Sequence, residues 1–307
     1  MSLRRSSAHA TGLWPLAIAL CTATASCNRP GSVFSPAGPA SRPMATLGVW
    51  LFAGFGLVSL VMIVLVVVAG TRNRGSLETH ADPNVDGGQR WIFLGGFLIP
   101  TLVLGALFIV TLRLVDRFPL HDGGHYRPDI RVVGRQWWWE VQYLGAGPDS
   151  RVITANEIHV PLGWPVEIEL ESRDVIHSLW IPALNGKVDL IPGQANHLRI
   201  EADRPGRFEG QCAEYCGVAH ALMKLSVVVE PLDDYERWLA NEAAPGVTPT
   251  GAEAIAGRKL FEGRACGVCH TVRGTAAASQ VGPDLTHVAA RKGIAAYSLP
   301  NNRAYLE

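Results

Sequence analysis

Two long, predominantly apolar stretches of this chain contain no charged residue, and they constrain the fold more than any other feature. One lies between Arg42 and Arg72, the other between Arg90 and Arg113. At a rise of about 1.5 Å per residue, each can cross a hydrocarbon layer of about 30 Å as a helix. A single soluble domain seldom holds two adjacent runs of this length. The sequence therefore predicts membrane-spanning helices over 45–70 and 91–113, with Trp91 as an interfacial anchor and a kink at Pro100. Arginines stand on both flanks of both runs, so orientation is weakly specified by charge alone.

Ahead of the first span, Arg4 and Arg5 precede an apolar run from Leu13 to Leu20, followed by Thr24-Ala25-Ser26-Cys27. A positive start, an apolar middle and small residues at the end form the layout of an export signal, expected over 1–27. A cysteine after the small residues resembles a bacterial lipoprotein signal with Cys27 as the lipidated residue. An exported N-terminus followed by two spans places the remainder outside the cytoplasm, as in a multi-pass protein of a bacterial inner membrane with its domains on the periplasmic side. The 27 basic residues balance the 27 acidic ones, which removes the cationic excess that nucleic-acid binding requires. At 48% hydrophobic residues the chain is too apolar to be disordered. Its 307 residues suffice for about two domains at roughly 150 residues each.

Beyond Asp116 the pattern changes to short alternating strands. Val166, Ile168 and Leu170 alternate with Glu167, Glu169 and Glu171, and Leu225 and Val227 with Lys224 and Ser226. Pro161, Gly163, Pro165, Pro182, Pro192, Gly193, Pro205 and Gly206 punctuate the stretch. An all-β sandwich or barrel is expected over 118–232. A small-residue stretch over 241–250 reads as a linker, and a last module over 251–307 opens with a helix from Ala252 to Gly263.

Two cysteine clusters carry the chemistry. Cys212, Cys216, His220 and Met223 lie within twelve residues. Two thiolates, an imidazole and a thioether favour copper, because soft sulfur selects it and a weak Met ligand suits electron transfer. Structural zinc is the rival, but it normally takes four strong ligands in Cys-x-x-Cys spacing. His177, after an apolar strand, supplies a second imidazole. The other cluster, Cys266-Gly267-Val268-Cys269-His270, has the spacing of c-type haem attachment, in which two thiols bond the haem and the histidine binds its iron. A redox-thiol reading of that motif would need a βαβ surround, and none is present in the sequence. With Cys21 and Cys27 in the leader, the six cysteines form three pairs and leave none for a disulfide framework.

These residues resemble subunit II of the haem-copper cytochrome c oxidases. Cys-x-Glu-x-Cys-x-x-x-His-x-x-Met is complete from Cys212 to Met223, and Asp-Val-x-His-Ser-x-Trp-x-Pro from Asp174 to Pro182. Lys187 to Gly193 matches a Lys-x-Asp-x-x-Pro-Gly element, and Gly134 to Trp139 an aromatic stretch in which Trp138 replaces the family's usual Tyr. The resemblance spans about Pro36 to Pro231. It implies a cupredoxin-like barrel with a binuclear copper A centre: Cys212 and Cys216 bridging, His177 and Met223 completing one copper, His220 and the Glu214 carbonyl the other. It also implies that Trp137 takes up the incoming electron and that the Glu214 side chain, with Asp189 as a weaker candidate, helps to hold a magnesium ion at the boundary with subunit I.

The last module resembles a class I cytochrome c, with Gly257 and Phe261 on the helix before the haem motif and Gly282-Pro283-Asp284-Leu285 after it. Such a module normally supplies a distal Met, yet Met1, Met44, Met62 and Met223 all precede the haem motif. The sequence therefore reads as an incomplete version of a longer protein; the alternatives are His287 as sixth ligand or a five-coordinate iron. The expected fold class is thus membrane-anchored and multidomain: two transmembrane helices, an all-β cupredoxin-like barrel and an incomplete all-α cytochrome c domain. The expected activity is electron transfer from haem c through copper A to subunit I, where oxygen is reduced to water with proton translocation. Expected partners are subunit I, subunit III, membrane lipid, and a donor such as a cytochrome c or a quinol-cytochrome c reductase. The competing readings are a copper-bearing component of a nitric oxide or nitrous oxide reductase and a membrane-anchored copper-binding protein. A quinol-oxidase subunit is set aside because that relative lacks the copper cysteines.

Overall fold

The computed structural model describes residues 31–71, 85–115, 128–145 and 151–306. The leader expected over 1–27, with Cys27, lies outside the described residues. Contacts divide the chain into two units, Thr46–Pro119 and the combination of Met1–Ala45 with Leu120–Glu307.

The smaller unit is helical. Helix α1 (Ser41–Thr71) is 31 residues long with a mean hydropathy of 2.9 over its most apolar window, and Gly88–Val115 is 28 residues at 2.4. None of the residues in either window is buried. Leu, Val, Ile and Phe side chains exposed around a whole helix are stable in lipid and not in water. The second long apolar helix combines α2 (Val85–Ile92), a π-helical turn (Phe93–Leu98) and α3 (Ile99–Val115). Pro100 has no N–H, and its ring collides with the carbonyl four residues back in a regular α-helix. The chain accommodates it by widening the preceding turn, where the Ile99 N–H donates to the Leu94 carbonyl. The Thr101 hydroxyl donates to the Phe97 carbonyl at 2.7 Å.

The larger unit is built on two five-stranded sheets. The first has the order β3-β2-β1-β5-β8, with β1 (Ile130–Arg135), β2 (Trp138–Leu144), β3 (Arg151–Ala155), β5 (Val166–Ser172) and β8 (Asn196–Ile200). The second has the order β4-β10-β9-β6-β7, with β4 (Glu157–Pro161), β6 (His177–Trp180), β7 (Val188–Leu190), β9 (Gly206–Cys212) and β10 (Lys224–Glu230). Neighbours run antiparallel except β1 with β5 and β4 with β10. The alternation read from 166–171 appears as strict alternation of burial along β5, with Val166, Ile168 and Leu170 inside. These residues meet Ile158, Leu179, Phe208, Leu225 and Val227 of the other sheet in one core. Burying each such side chain contributes about 1.5–3 kcal/mol.

Residues before the first span also join this unit. The Ala37 N–H donates to the Ala183 carbonyl at 2.7 Å, and the Asp203 N–H returns a bond to the Ala37 carbonyl at 2.9 Å. After β10, Pro231 ends the strand and α4 (Leu232–Ala243) begins, with Asp233 and Asp234 favourably placed in its first turn. Its Trp238 stacks on His159 at 3.8 Å between ring centroids and meets Tyr143 edge-on at 5.2 Å. The helix continues through Ala243 into the stretch read as a linker, because Glu242 is buried there, 4.0 Å from Arg273. The remainder holds α5 (Ala252–Gly263), the single turn α6 (Cys266–Cys269), a short ribbon of β11 (Gly293–Ile294) and β12 (Leu299–Pro300), and α7 (Arg303–Leu306).

Candidate metal centre and haem-attachment site

Strand β9 alternates outward and inward positions, so Phe208, Gly210 and Cys212 face the core. The turn that follows carries Cys216, His220 and Met223 before β10 returns alongside. The Cys212 N–H donates to the Met223 carbonyl at 2.9 Å, which closes the neck of this loop. On the neighbouring strand, His177 is fully buried, with its ring edge-on to Trp139 at 6.0 Å. Gly134 makes room for that ring: a Cβ there would stand 2.7 Å from His177 Cδ2.

Six donors converge. The Cys212 and Cys216 sulfurs are 3.8 Å apart, too far for a disulfide at about 2.05 Å. With metal–sulfur bonds of about 2.3 Å, that separation subtends roughly 111° at a metal, close to tetrahedral. His177 Nδ1 lies 3.9 Å from the Cys212 sulfur, and His220 Nδ1 lies 3.6 Å from that of Cys216. Met223 Sδ is 3.8 Å from Cys216, and the Glu214 carbonyl is 3.2 Å from Cys212. His177, Cys212 and Cys216 also form a cluster able to hold a metal, with ligand atoms all within 4.8 Å of one another.

The electrostatics prepare these groups to bind a cation. Burial alone would push the Cys212 thiol up, but bonds from His177, from the backbone at Ser178 and Glu214 and from His220 outweigh it and hold it at about 6. Burial and then the Cys212 charge push Cys216 up to about 12, so one thiolate forms readily and the second proton leaves when a cation arrives. His177 Nε2 lies 2.8 Å from Asp174 Oδ1, and a proton held there makes Nδ1, which faces Cys212, the nitrogen that an arriving cation can take. The imidazole pKa is raised: burial would lower it, and the contacts with Cys212 and Asp174 prevail. Asp174 also accepts the Gln136 N–H at 2.7 Å and the Val175 N–H at 2.7 Å. Sequence reading gave Asp174, Gln136 and Gly134 no role. Their signal was the placement of an acid three residues before the histidine and of a glycine on the strand beneath it.

Trp137 sits in the turn before β2, partly exposed, and its Nε1–H donates to the Cys216 carbonyl at 3.1 Å. Gly217, at φ +121°, lets the two segments approach this closely. Trp138 and Trp139 are both buried, although they lie on opposite faces of β2. The C-terminal module covers the Trp138 side. The Glu214 side chain is half-exposed, with Lys187 Nζ 3.7 Å away.

In the last module, Cys266 and Cys269 are exposed free thiols on α6, and the His270 N–H returns to the Cys266 carbonyl. His270 Nδ1 donates to the Pro283 carbonyl at 2.8 Å, leaving Nε2 available to a metal. His270 lines an open cleft of about 460 Å³ together with Trp137, Trp138, Leu222, Pro283 and Arg291. These residues fit a covalently attached haem: two accessible thiols, and next to them in sequence an oriented imidazole that lines an apolar-walled cleft. His287 is not brought to this cleft, because its Nε2 bonds the Ala244 carbonyl at 2.9 Å. Among the described residues lining the cleft there is no Met.

Residues 144–231 match the family model for the periplasmic domain of cytochrome c oxidase subunit II, and residues 254–303 match the cytochrome c model. A cytochrome c oxidase subunit 2 from Alkalihalophilus pseudofirmus is 33% identical over 280 residues, covering 90% of this chain and 80% of the relative. The chain belongs to the cytochrome c oxidase subunit 2 family. A quinol oxidase subunit 2 from Bacillus cereus is 26% identical over 255 residues, covering 81% of this chain and 85% of the relative. The solved periplasmic domain of cytochrome oxidase subunit II from Bradyrhizobium japonicum is 29% identical, with a TM-score of 0.35, covering 38% of this chain and 95% of that one. The chain is therefore subunit II of a haem-copper oxidase with a fused cytochrome c domain, a membrane-anchored partner of subunit I. Its two domains imply copper and haem respectively.

Proposed function

We propose that this subunit relays electrons from a haem c held by Cys266, Cys269 and His270, through a binuclear copper A centre, to subunit I, where oxygen is reduced to water with proton translocation. The observation that carries the reading is the convergence of six donors on one loop and one neighbouring strand. Shared between two four-coordinate ions, the Cys212 and Cys216 thiolates would supply half the bonds needed. His177, Met223, His220 and the Glu214 carbonyl supply the rest. Zinc in a structural site would use four strong ligands and leave donors idle. A binuclear copper pair, when bound, supplies a one-electron carrier whose charge is shared across both thiolates.

The chain's residues do the rest. Asp174 fixes the tautomer and angle of His177, and Pro283 does the same for His270. Trp137 lines the cleft that contains His270 and bonds the Cys216 carbonyl, so one indole touches both sites. In this reading the chain crosses the inner membrane twice, with both redox domains on the periplasmic side. Subunit III and a cytochrome c or quinol-cytochrome c reductase donor complete the expected partners. Metal analysis of the purified chain tests the proposal, with two coppers and one haem iron expected. Near-infrared absorbance and a seven-line EPR pattern are expected with them. Copper that exchanges freely into a chelator without those signals would sink it.

A further inference from the structure

The C-terminal segment 291–298 lies on the copper domain through bonds that centre on one buried carboxylate. Glu157, the first residue of β4, is 4% exposed. Its Oε1 accepts the Lys292 N–H at 3.1 Å and the Tyr297 hydroxyl at 3.0 Å, both from the haem-bearing module. Arg207 of β9 stands 3.4 Å from the same oxygen and also donates to the Tyr297 hydroxyl at 3.1 Å. His159, two residues along β4, is 3.5 Å from the other oxygen. Around this centre the Lys224 N–H donates to the Ala296 carbonyl at 3.0 Å, and Arg291 donates to the Thr154 hydroxyl at 3.2 Å. The Ser298 hydroxyl bonds the Leu222 carbonyl. Leu222 and Lys224 flank Met223, so the docked segment grips the very end of the candidate copper loop.

A buried carboxylate with a single wall of partners would be costly, and here both walls are required to satisfy it. Ala295, Ala296 and Tyr297 all adopt positive φ, of 49°, 52° and 62°, a conformation that L residues hold only when surroundings enforce it. We propose that Glu157 is a positioning residue, a latch that holds the haem-bearing module in one fixed pose on the copper domain, so that the His270 cleft keeps Trp137 and Trp138 as its wall. The fused module is then a docked donor and not a tethered one that visits. The functional consequence rests on the haem and copper reading above, whereas the latch itself rests on the contacts.

Hydrogen–deuterium exchange on the full chain in detergent tests it. Glu157→Ala is expected to speed exchange at 292–298 and at Lys224 at least tenfold and to make the stretch 244–251 cleavable by protease. Amides of β9 and β10 at 208 and 225–229 stay protected. Glu157→Gln, which keeps an acceptor for Lys292 and Tyr297 but not the charge, is expected to restore part of the protection. If Glu157→Ala disrupts the barrel, loss of protection at 225–229 reports it, and Tyr297→Phe, on the other wall, then reads the latch with the barrel intact. Unchanged exchange over 292–298 in Glu157→Ala, or in Tyr297→Phe where that variant is needed, overturns the proposal. A chain that shows the exchange pattern but binds no haem or copper sinks the electron-transfer reading and leaves the latch standing.

Discussion

Replacing Gly134 with alanine isolates the most demanding steric requirement at the metal centre. The new methyl would stand 2.7 Å from His177 Cδ2, 3.0 Å from Cγ and 3.3 Å from Cβ. Carbon atoms rest at about 3.5–4.0 Å, so the ring must retreat by roughly 0.8 Å. It has little freedom to do so: it is fully buried, Asp174 holds Nε2 at 2.8 Å, and Trp139 stands at its edge. Overpacking of this kind costs about 1–3 kcal/mol, and each kcal/mol lowers Tm by about 2–4 °C in a unit of this size. Thermal unfolding of the metal-free chain measures the cost, and copper EPR reports the displaced Nδ1. The decisive comparison repeats the substitution in a His177→Ala background, where the methyl meets no ring and the cost should fall below about 0.5 kcal/mol. Equal destabilisation in both backgrounds refutes the reasoning, since the strain would then originate in the strand and not at the histidine.

Asp174→Ala should weaken copper binding by about 10–100-fold, and Asp174→Asn by less, as read by competition with a chelator of known affinity. Glu157 supplies a pH dependence: burial would raise its carboxyl, but bonds from His159, the Lys292 N–H and Tyr297 lower it to about 2 from an ordinary 4.5. Arg207 and Arg291 also face it. Because the folded pKa is depressed, its contribution of roughly 3 kcal/mol is complete above pH 4.5 and disappears as pH falls towards 2. The difference in urea stability between wild type and Glu157→Gln should shrink over that window. Trp238→Ala removes the ring stacked on His159 and should cost about 3 kcal/mol in the same assay.

The apolar spans, the β5 alternation and the cysteine spacings were legible because each is a local pattern that one kind of environment imposes. The helix from Ala252 to Gly263 was read to the residue for the same reason. Strand β2 was not legible in this way. Trp138, Glu140 and Gln142 are buried alongside Trp139 and Val141, so its polar face is covered as well, and alternation cannot show that. Trp138 and Glu140 share a cleft with Thr271, Arg273 and Asp284 of the C-terminal module, more than a hundred residues distant in sequence. Glu157 escaped notice similarly, as an ordinary strand-edge acid until Lys292 and Tyr297 are beside it. The π turn before Pro100 was anticipated as a kink, since the proline specifies that the hydrogen-bond ladder must break and not how the helix repairs it.

The bond from the Cys212 N–H to the Met223 carbonyl makes the candidate copper loop a cassette. Every donor but His177 lies between its two ends, and the neck is an ordinary antiparallel strand pair in which Gln211 faces Lys224. Closing so short a loop costs little conformational entropy. Metal preference and barrel stability can therefore drift separately over evolutionary time. Substitutions within the loop retune the donors, substitutions in the sheets retune the scaffold, and His177 and Cys212, both buried strand residues, must answer to both.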